Sequence, residues 1–293
     1  MSKNYDENTH AFTKDVYFFH SPELSYKIEP AFQFTTMPYV TLAHDKKTNT
    51  MQQDPEIVSK AEVQYPLNNY CHMSDDFLPL DNKKTNILFA GCSVTAGEYL
   101  PYGYAWPHHL YEYFKEKEID LGPKQILGFP GANAAKIIAN IFKYVNEFGK
   151  PDYIFLMLPD MFRVYTATED IFIPEIRYSS DSDINDLMYP FQGMYEYQMA
   201  YRNLEIFCSL LNIKLITTSW DKRANIEMKK LGFKAYYPLE TTNDKATVEK
   251  ISKLKYKNFK KRYYIYGSDN LHPGLISHIN YTQHFIERLE NDI

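Results

Sequence analysis

From residue 86 onward, short apolar runs alternate with helical repeats, and this alternation constrains the fold more than any other feature of the chain. Asn86-Ile87-Leu88-Phe89-Ala90 is a buried-strand pattern, followed by a turn and a helical pattern over residues 105–117. Gln125-Ile126-Leu127-Gly128-Phe129 repeats the cycle and leads through Pro130-Gly131 into a helix with Ile137, Ile141, Val145 and Phe148 three or four residues apart. Tyr153-Ile154-Phe155-Leu156-Met157-Leu158 opens a third unit. A helix with Tyr197, Ala200, Leu204, Phe207 and Leu211 on one stripe precedes Lys214-Leu215-Ile216-Thr217-Thr218, and a last helix runs from about Gly274 to Leu289. Strand runs that are apolar throughout belong to a parallel sheet with helices on both faces. An α/β domain is therefore expected over residues 85–293, with ligand-binding residues just after each strand, at the carboxyl edge of the sheet.

Residues 1–84 lack this pattern. Short alternating runs such as Ala31-Phe32-Gln33-Phe34 and Val40-Thr41-Leu42 lie between Pro22, Pro30, Pro38, Pro55, Pro66 and Pro79, which predicts an extended N-terminal arm with short strands. Residues 166–195 are polar and rich in Ser and Asp, and predict a long loop near the strand ends. Composition narrows the function. The 32 basic and 37 acidic residues give a net charge of −5, which argues against a nucleic-acid binder, since such a surface must neutralise many phosphates. Cys71, Cys92 and Cys208 make neither a disulfide framework nor, with the histidines, a metal-ligand spacing, so no metal or other cofactor is expected. Adjacent His108 and His109 point to different sides of a helix. Apolar runs fall short of a membrane span and the polar start lacks a signal-peptide core, so a cytoplasmic or virion-associated protein with no membrane partner is expected. The 26 Tyr, 19 Phe and 2 Trp can serve sugar or protein contacts, although core packing is the ordinary use. Residues 245–262 carry a run of lysines, a solvated face or an attractant for an acidic polysaccharide.

Two short segments carry groups suited to chemistry. Gly91-Cys92-Ser93-Val94-Thr95-Ala96-Gly97 sets a serine on a tight strand-to-helix turn, where its hydroxyl is presented and its N–H lies at a helix start; serine also caps helices at such junctions. In Ser268-Asp269-Asn270-Leu271-His272-Pro273-Gly274, Asp269 and His272 are three residues apart before a helix. A carboxylate at that spacing can orient an imidazole base, and an Asp there can equally cap the helix.

Together these segments resemble the SGNH (GDSL-type) hydrolase family. Phe89-Ala90-Gly91-Cys92-Ser93-Val94-Thr95-Ala96-Gly97 is similar to that family's block G-D-S-x-T-x-G, with Cys92 in place of Asp. Gly128-Phe129-Pro130-Gly131-Ala132 is similar to its second block, and Asp269-x-x-His272-Pro273 to its last, D-x-x-H-P. The resemblance implies a flavodoxin-like three-layer sandwich, Ser93, Asp269 and His272 as the catalytic triad, and the N–H of Gly131 as an oxyanion donor. The third block departs from the pattern, because Met161 stands where the family keeps an Asn donor; Asn133 and Arg163 are the candidate substitutes, with a helix cap and a surface ion pair as their ordinary uses. Cys92 reads as a small buried residue beside the nucleophile.

The implied function is a serine esterase acting through an acyl-enzyme, with O-acetyl groups on carbohydrate among its substrates. Two alternatives remain. One is an SGNH-fold binding or structural protein whose catalysis has decayed, tied into a homo-oligomer or larger assembly such as a virion by the N-terminal arm. The other is an acyltransferase, in which an alcohol intercepts the same intermediate.

Overall fold

The computed structural model describes residues 41–52, 54–70, 72–161, 163–168, 171–177, 188–239 and 261–291. Residues 1–40 of the expected arm, Cys71 and the lysine-rich stretch through residue 260 lie outside them. The first described element is a small antiparallel sheet of β1 (Thr41–Asp45), β2 (Thr50–Gln52) and β3 (Gln64–Pro66), in the order β2-β1-β3. Helix α1 (Pro55–Lys60) lies between β2 and β3, with Asp54 accepting from the Glu56 N–H as its cap. One face of this sheet is apolar, and Leu42, Met51 and Tyr65 pack with Leu100 and Tyr263 into a separate small core.

The main sheet consists of β4 (Ile87–Cys92), β5 (Gln125–Phe129), β6 (Tyr153–Leu158) and β9 (Lys214–Ser219), all parallel, in the order β5-β4-β6-β9. Between them run α2 (Ser93–Ala96), α3 (Trp106–Glu116), α4 (Ala134–Phe148) and α5 (Met188–Leu211), followed by α6 (Lys222–Leu231) and α7 (Leu275–Asn291). Every residue of β4 and β5 is buried, as expected for strands covered on both faces. The chain steps from β4 to β5 in one direction and from β5 to β6 in the other. Right-handed crossovers therefore put α3 on one face and α4 on the opposite one. Accordingly α3 packs with α7, and α4 packs with α5. This is the doubly wound three-layer arrangement that the strand pattern predicts.

Both edges of the sheet are covered, which removes the hazard of unpaired strand edges. Along β5, the Ser74 hydroxyl donates to Lys124 O at 3.0 Å and accepts from Ile126 N at 2.8 Å, while Asp75 Oδ2 accepts from Lys124 N at 2.9 Å. Phe77 then enters the main core against Tyr144 and Phe148. Along β9, Thr217 N donates to Ala235 O and Tyr237 N donates to Thr217 O, both at 2.8 Å.

Two parts of the expected organisation need correction. The stretch expected to be one long loop holds an antiparallel hairpin, β7 (Val164–Thr168) and β8 (Ile171–Arg177), and the start of α5; residues 178–187 lie outside the described residues. The β-branched and aromatic residues Val164, Tyr165, Ile171, Phe172 and Ile176 favour strands, and the Ser/Asp run that follows them hid the signal. Helix α6 was not anticipated either, although its ends are marked: Asp221 accepts from Arg223 N and Ala224 N, and Gly232 closes the helix at φ 64°.

Candidate active site

Strand β4 lies at the centre of the sheet, at the point where the chain order reverses, and such switch points open a crevice at the carboxyl ends of the strands. The register pairs Cys92 with Phe129 and Gly91 with Met157, so Ser93, Pro130-Gly131 and Pro159-Asp160 leave three adjacent strands side by side. Ser93 opens the single turn α2. Its carbonyl accepts from Gly97 N at 2.9 Å and Glu98 N at 3.1 Å, and Gly97 ends the turn in the left-handed region at φ 79°. The turn is held close to the neighbouring strand because Gly128 has no side chain; a Cβ there would lie 2.8 Å from the backbone N and Cα of Ala96.

The second segment folds back to meet this turn. Residues 265–274 form a narrow loop closed by Gly267 N to His272 O and Gly274 N to Ile265 O, both 2.9 Å, ahead of α7. Within it Asp269 Oδ1 accepts from the N–H groups of Leu271 and His272, each at 3.1 Å, which fixes the turn locally. Asp269 Oδ2 lies 2.6 Å from His272 Nδ1, and His272 Nε2 lies 3.0 Å from Ser93 Oγ. An ionised carboxylate only accepts, so Nδ1 carries the proton and Nε2 accepts from the serine hydroxyl. Burial pushes the Asp269 carboxyl up, but the His272 hydrogen bond and the two backbone N–H groups outweigh it and hold it below the ordinary value of 3.8.

Sequence reasoning placed Ser93, Asp269 and His272 together, and they form one hydrogen-bonded chain. The other three expected residues gather around the turn after β5. Gly131 adopts φ 72°, which a glycine tolerates without strain. Asn133 Oδ1 accepts from Lys136 N at 2.9 Å as the cap of α4. Arg163 is buried rather than on the surface, with Nη1 donating to Ala132 O at 3.3 Å and its guanidinium 5.4 Å from the Trp220 ring centroid. Met161 is buried in the main core. Cys92 is buried too, and its Sγ accepts from Trp220 Nε1 at 3.3 Å. His109 Nε2 donates to Tyr104 O at 3.1 Å.

Two neighbours of the imidazole were not anticipated. Glu98, 5% exposed, places Oε2 4.0 Å from His272 Nε2, a second carboxyl group facing the imidazole. Tyr99 lays its ring against the imidazole at 4.7 Å between centroids, and burial followed by the charges of Glu98 and Asp269 pushes its hydroxyl pKa well up. Both directly follow the serine block, and a carboxylate one residue past Gly97 was the available signal. Among the described residues no cluster of His, Cys, Asp and Glu could hold a metal ion, and no helix is long and apolar enough to cross a membrane.

No family model and no curated protein matches the sequence. Among solved structures, the chain is similar to the psychrotrophic esterase EstA of Pseudoalteromonas sp., at 10% identity over 71% of this chain and 97% of that one, with a TM-score of 0.41. It is also similar to TesA, at 12% identity over 71% and 99% of the two chains with a TM-score of 0.44. A third is a member of the lipolytic protein G-D-S-L family from Veillonella parvula, at 14% identity over 69% and 96%, with a TM-score of 0.37.

Proposed function

We propose that the protein is a serine hydrolase of SGNH type that cleaves a carboxylic ester. The observation that carries this reading is the chain Ser93 Oγ, His272 Nε2, His272 Nδ1 and Asp269 Oδ2, joined at 3.0 and 2.6 Å. A nucleophile, a base within hydrogen-bond reach and a third group that orients the base are what acyl transfer through an acyl-enzyme requires. Ser93 Oγ attacks the ester carbonyl while His272 Nε2 takes its proton. The imidazolium that forms is stabilised by Asp269 and faces Glu98, and it returns the proton to the leaving alcohol. The N–H groups of Ser93 and Gly131 hold the oxyanion. Water attacks the acyl-enzyme with His272 again as base, and the serine is restored. O-acetyl groups on carbohydrate are the proposed substrates, with acyl transfer as the variant in which an alcohol replaces that water.

A second reading, a binding or structural protein with decayed catalysis, is favoured by one observation. Met161, at the place of the family's third-block Asn, is buried and has no proton to donate, and loss of one oxyanion donor lowers rates on the order of 100- to 1000-fold. Intact mass after exposure to a fluorophosphonate separates the two without a known substrate. One adduct on wild type, absent from Ser93→Ala and His272→Ala, is the expected result; no adduct on a folded wild type would move the assignment to the second reading.

A further inference from the structure

Ahead of the α/β core, β1 sends His44 towards the catalytic loop. His44 is 7% exposed, and its Nδ1 lies 2.8 Å from the hydroxyl of Ser268, the residue immediately before Asp269. Its Nε2 lies 3.2 Å from Asn49 Oδ1, in the connection between β1 and β2. Its ring also meets Tyr99 edge to face at 4.9 Å, and Tyr99 in turn lies on His272 at 4.7 Å. His44 therefore reaches the triad by two routes, through the Ser268 hydroxyl to the residue beside Asp269 and through the Tyr99 ring to the imidazole itself.

We propose that His44 is a positioning residue for the Asp269–His272 turn, and that the small N-terminal sheet is a working part of the active centre. The role rests on Ser93, His272 and Asp269 being the catalytic group. The physical need is clear from the loop: Asn270 and Leu271 are exposed, and Asn270 is held at φ 62°. A base carried on so open a turn needs an outer brace, because errors of about 1 Å in such geometry cost on the order of 100-fold in rate. The brace has a second anchor at Tyr99, whose carbonyl accepts from Ser268 N at 2.7 Å, with Gly267 leaving room for its Cβ. The chemistry of His44 suits the task. Burial lowers its pKa, so the ring is neutral at pH 7; Nε2–H then donates to Asn49 Oδ1, and Nδ1 is left to accept the Ser268 hydroxyl proton.

The test uses two readings on the full chain, taken well below the melting temperature of each variant. One is the low-field proton resonance of His272 Nδ1–H, assigned by its loss in His272→Ala, which reports the Asp269–His272 bond whether or not the serine reacts. The other is the rate of fluorophosphonate adduct formation. His44→Ala is expected to shift or broaden the resonance and to slow the adduct about tenfold, with His44→Gln closer to wild type. Ser268→Ala, which deletes one hydroxyl and serves if His44→Ala does not fold, is expected to act in the same direction, and the double variant to be no worse than the worse single one. An unchanged resonance in folded His44→Ala and Ser268→Ala, or fully additive effects, would overturn the proposal. A wild type that gives the resonance but no adduct would sink the esterase reading, and the resonance in the variants would still decide the role of His44.

Discussion

Asp269 serves the backbone and the His272 imidazole with different oxygens, and the two contacts can be separated by substitution. Asn at this position keeps an oxygen for the Leu271 and His272 N–H groups, but its NH2 cannot accept from His272 Nδ1–H. Asp269→Asn is expected to retain its melting temperature to within a few degrees at neutral pH and to lose on the order of 10,000-fold in adduct formation, as measured by intact mass over time. The pH sign follows from the lowered carboxyl: its contribution to stability is present above the ordinary value of 3.8 and is lost as the pH falls through the still lower native value. At this scale the sequence was legible where chemistry lies within a short motif at a strand end or a helix start. Ser93, Asp269 and His272 meet that condition. His44 and Ser268 do not, because 224 positions separate them and only the fold creates their bond. Arg163 was readable as a residue near the site but not as a buried one, since its burial comes from Trp220 and the turn after β5.

At the scale of elements, the short turn α2 and the helix α7 carry the serine and follow the histidine, and each is seated by one tight contact. Gly128→Ala would push a Cβ against the backbone of Ala96, so α2 must move with its serine. A lower melting temperature together with a slower fluorophosphonate reaction is expected, whereas an unaltered rate would mean that β5 yields instead. Helix α7 is pinned by His278, whose Nδ1 accepts from Trp106 N at 3.1 Å at the start of α3. Burial, with smaller contributions from the charges of His109 and His272, pushes His278 down to about 3; burial and the Arg288 charge push His284 down to about 4. The unfolded chain binds these protons from about pH 6.5 downward while the native protein refuses them, so stability falls as the pH is lowered from 6.5 towards 3. Thermal melts across that range should show the decline, and His278→Gln should flatten it while melting lower at pH 7. The core strands and their helices were legible because the buried strands carry apolar runs, such as Ile87–Ala90 and Ile154–Leu158, between helical repeats. The hairpin β7–β8 and helix α6 were obscured by polar neighbours, although Asp221 and Gly232 mark the ends of α6.

For the molecule as a whole, the segment expected to be an arm is packed in two ways: β1–β3 share a small core with Leu100 and Tyr263, and Phe77, with Tyr70 and Leu80, joins the main core. Phe77 is 1% exposed and touches Tyr70, His72, Tyr144 and Phe148. Phe77→Ala is expected to destabilise the protein by about 3–5 kcal/mol in denaturant titration, and a change below about 1 kcal/mol would show that the segment is only loosely attached. Removing residues 1–84 therefore strips the β5 edge and the contacts that His44 makes with the Asp269–His272 loop. The sequence concealed this because the segment has no helical period and its partners, such as Lys124 and Tyr144, come much later in the chain. The same long reach governs how the site comes into being. His272 meets Ser93 across 179 positions. At a synthesis rate of about 5–20 residues per second, the serine is made roughly 10 to 40 s before the imidazole it meets. The growing chain thus carries Ser93 without its imidazole partner until the turn ahead of α7 has been made, and the hydrogen-bonded chain is completed only when that turn is added.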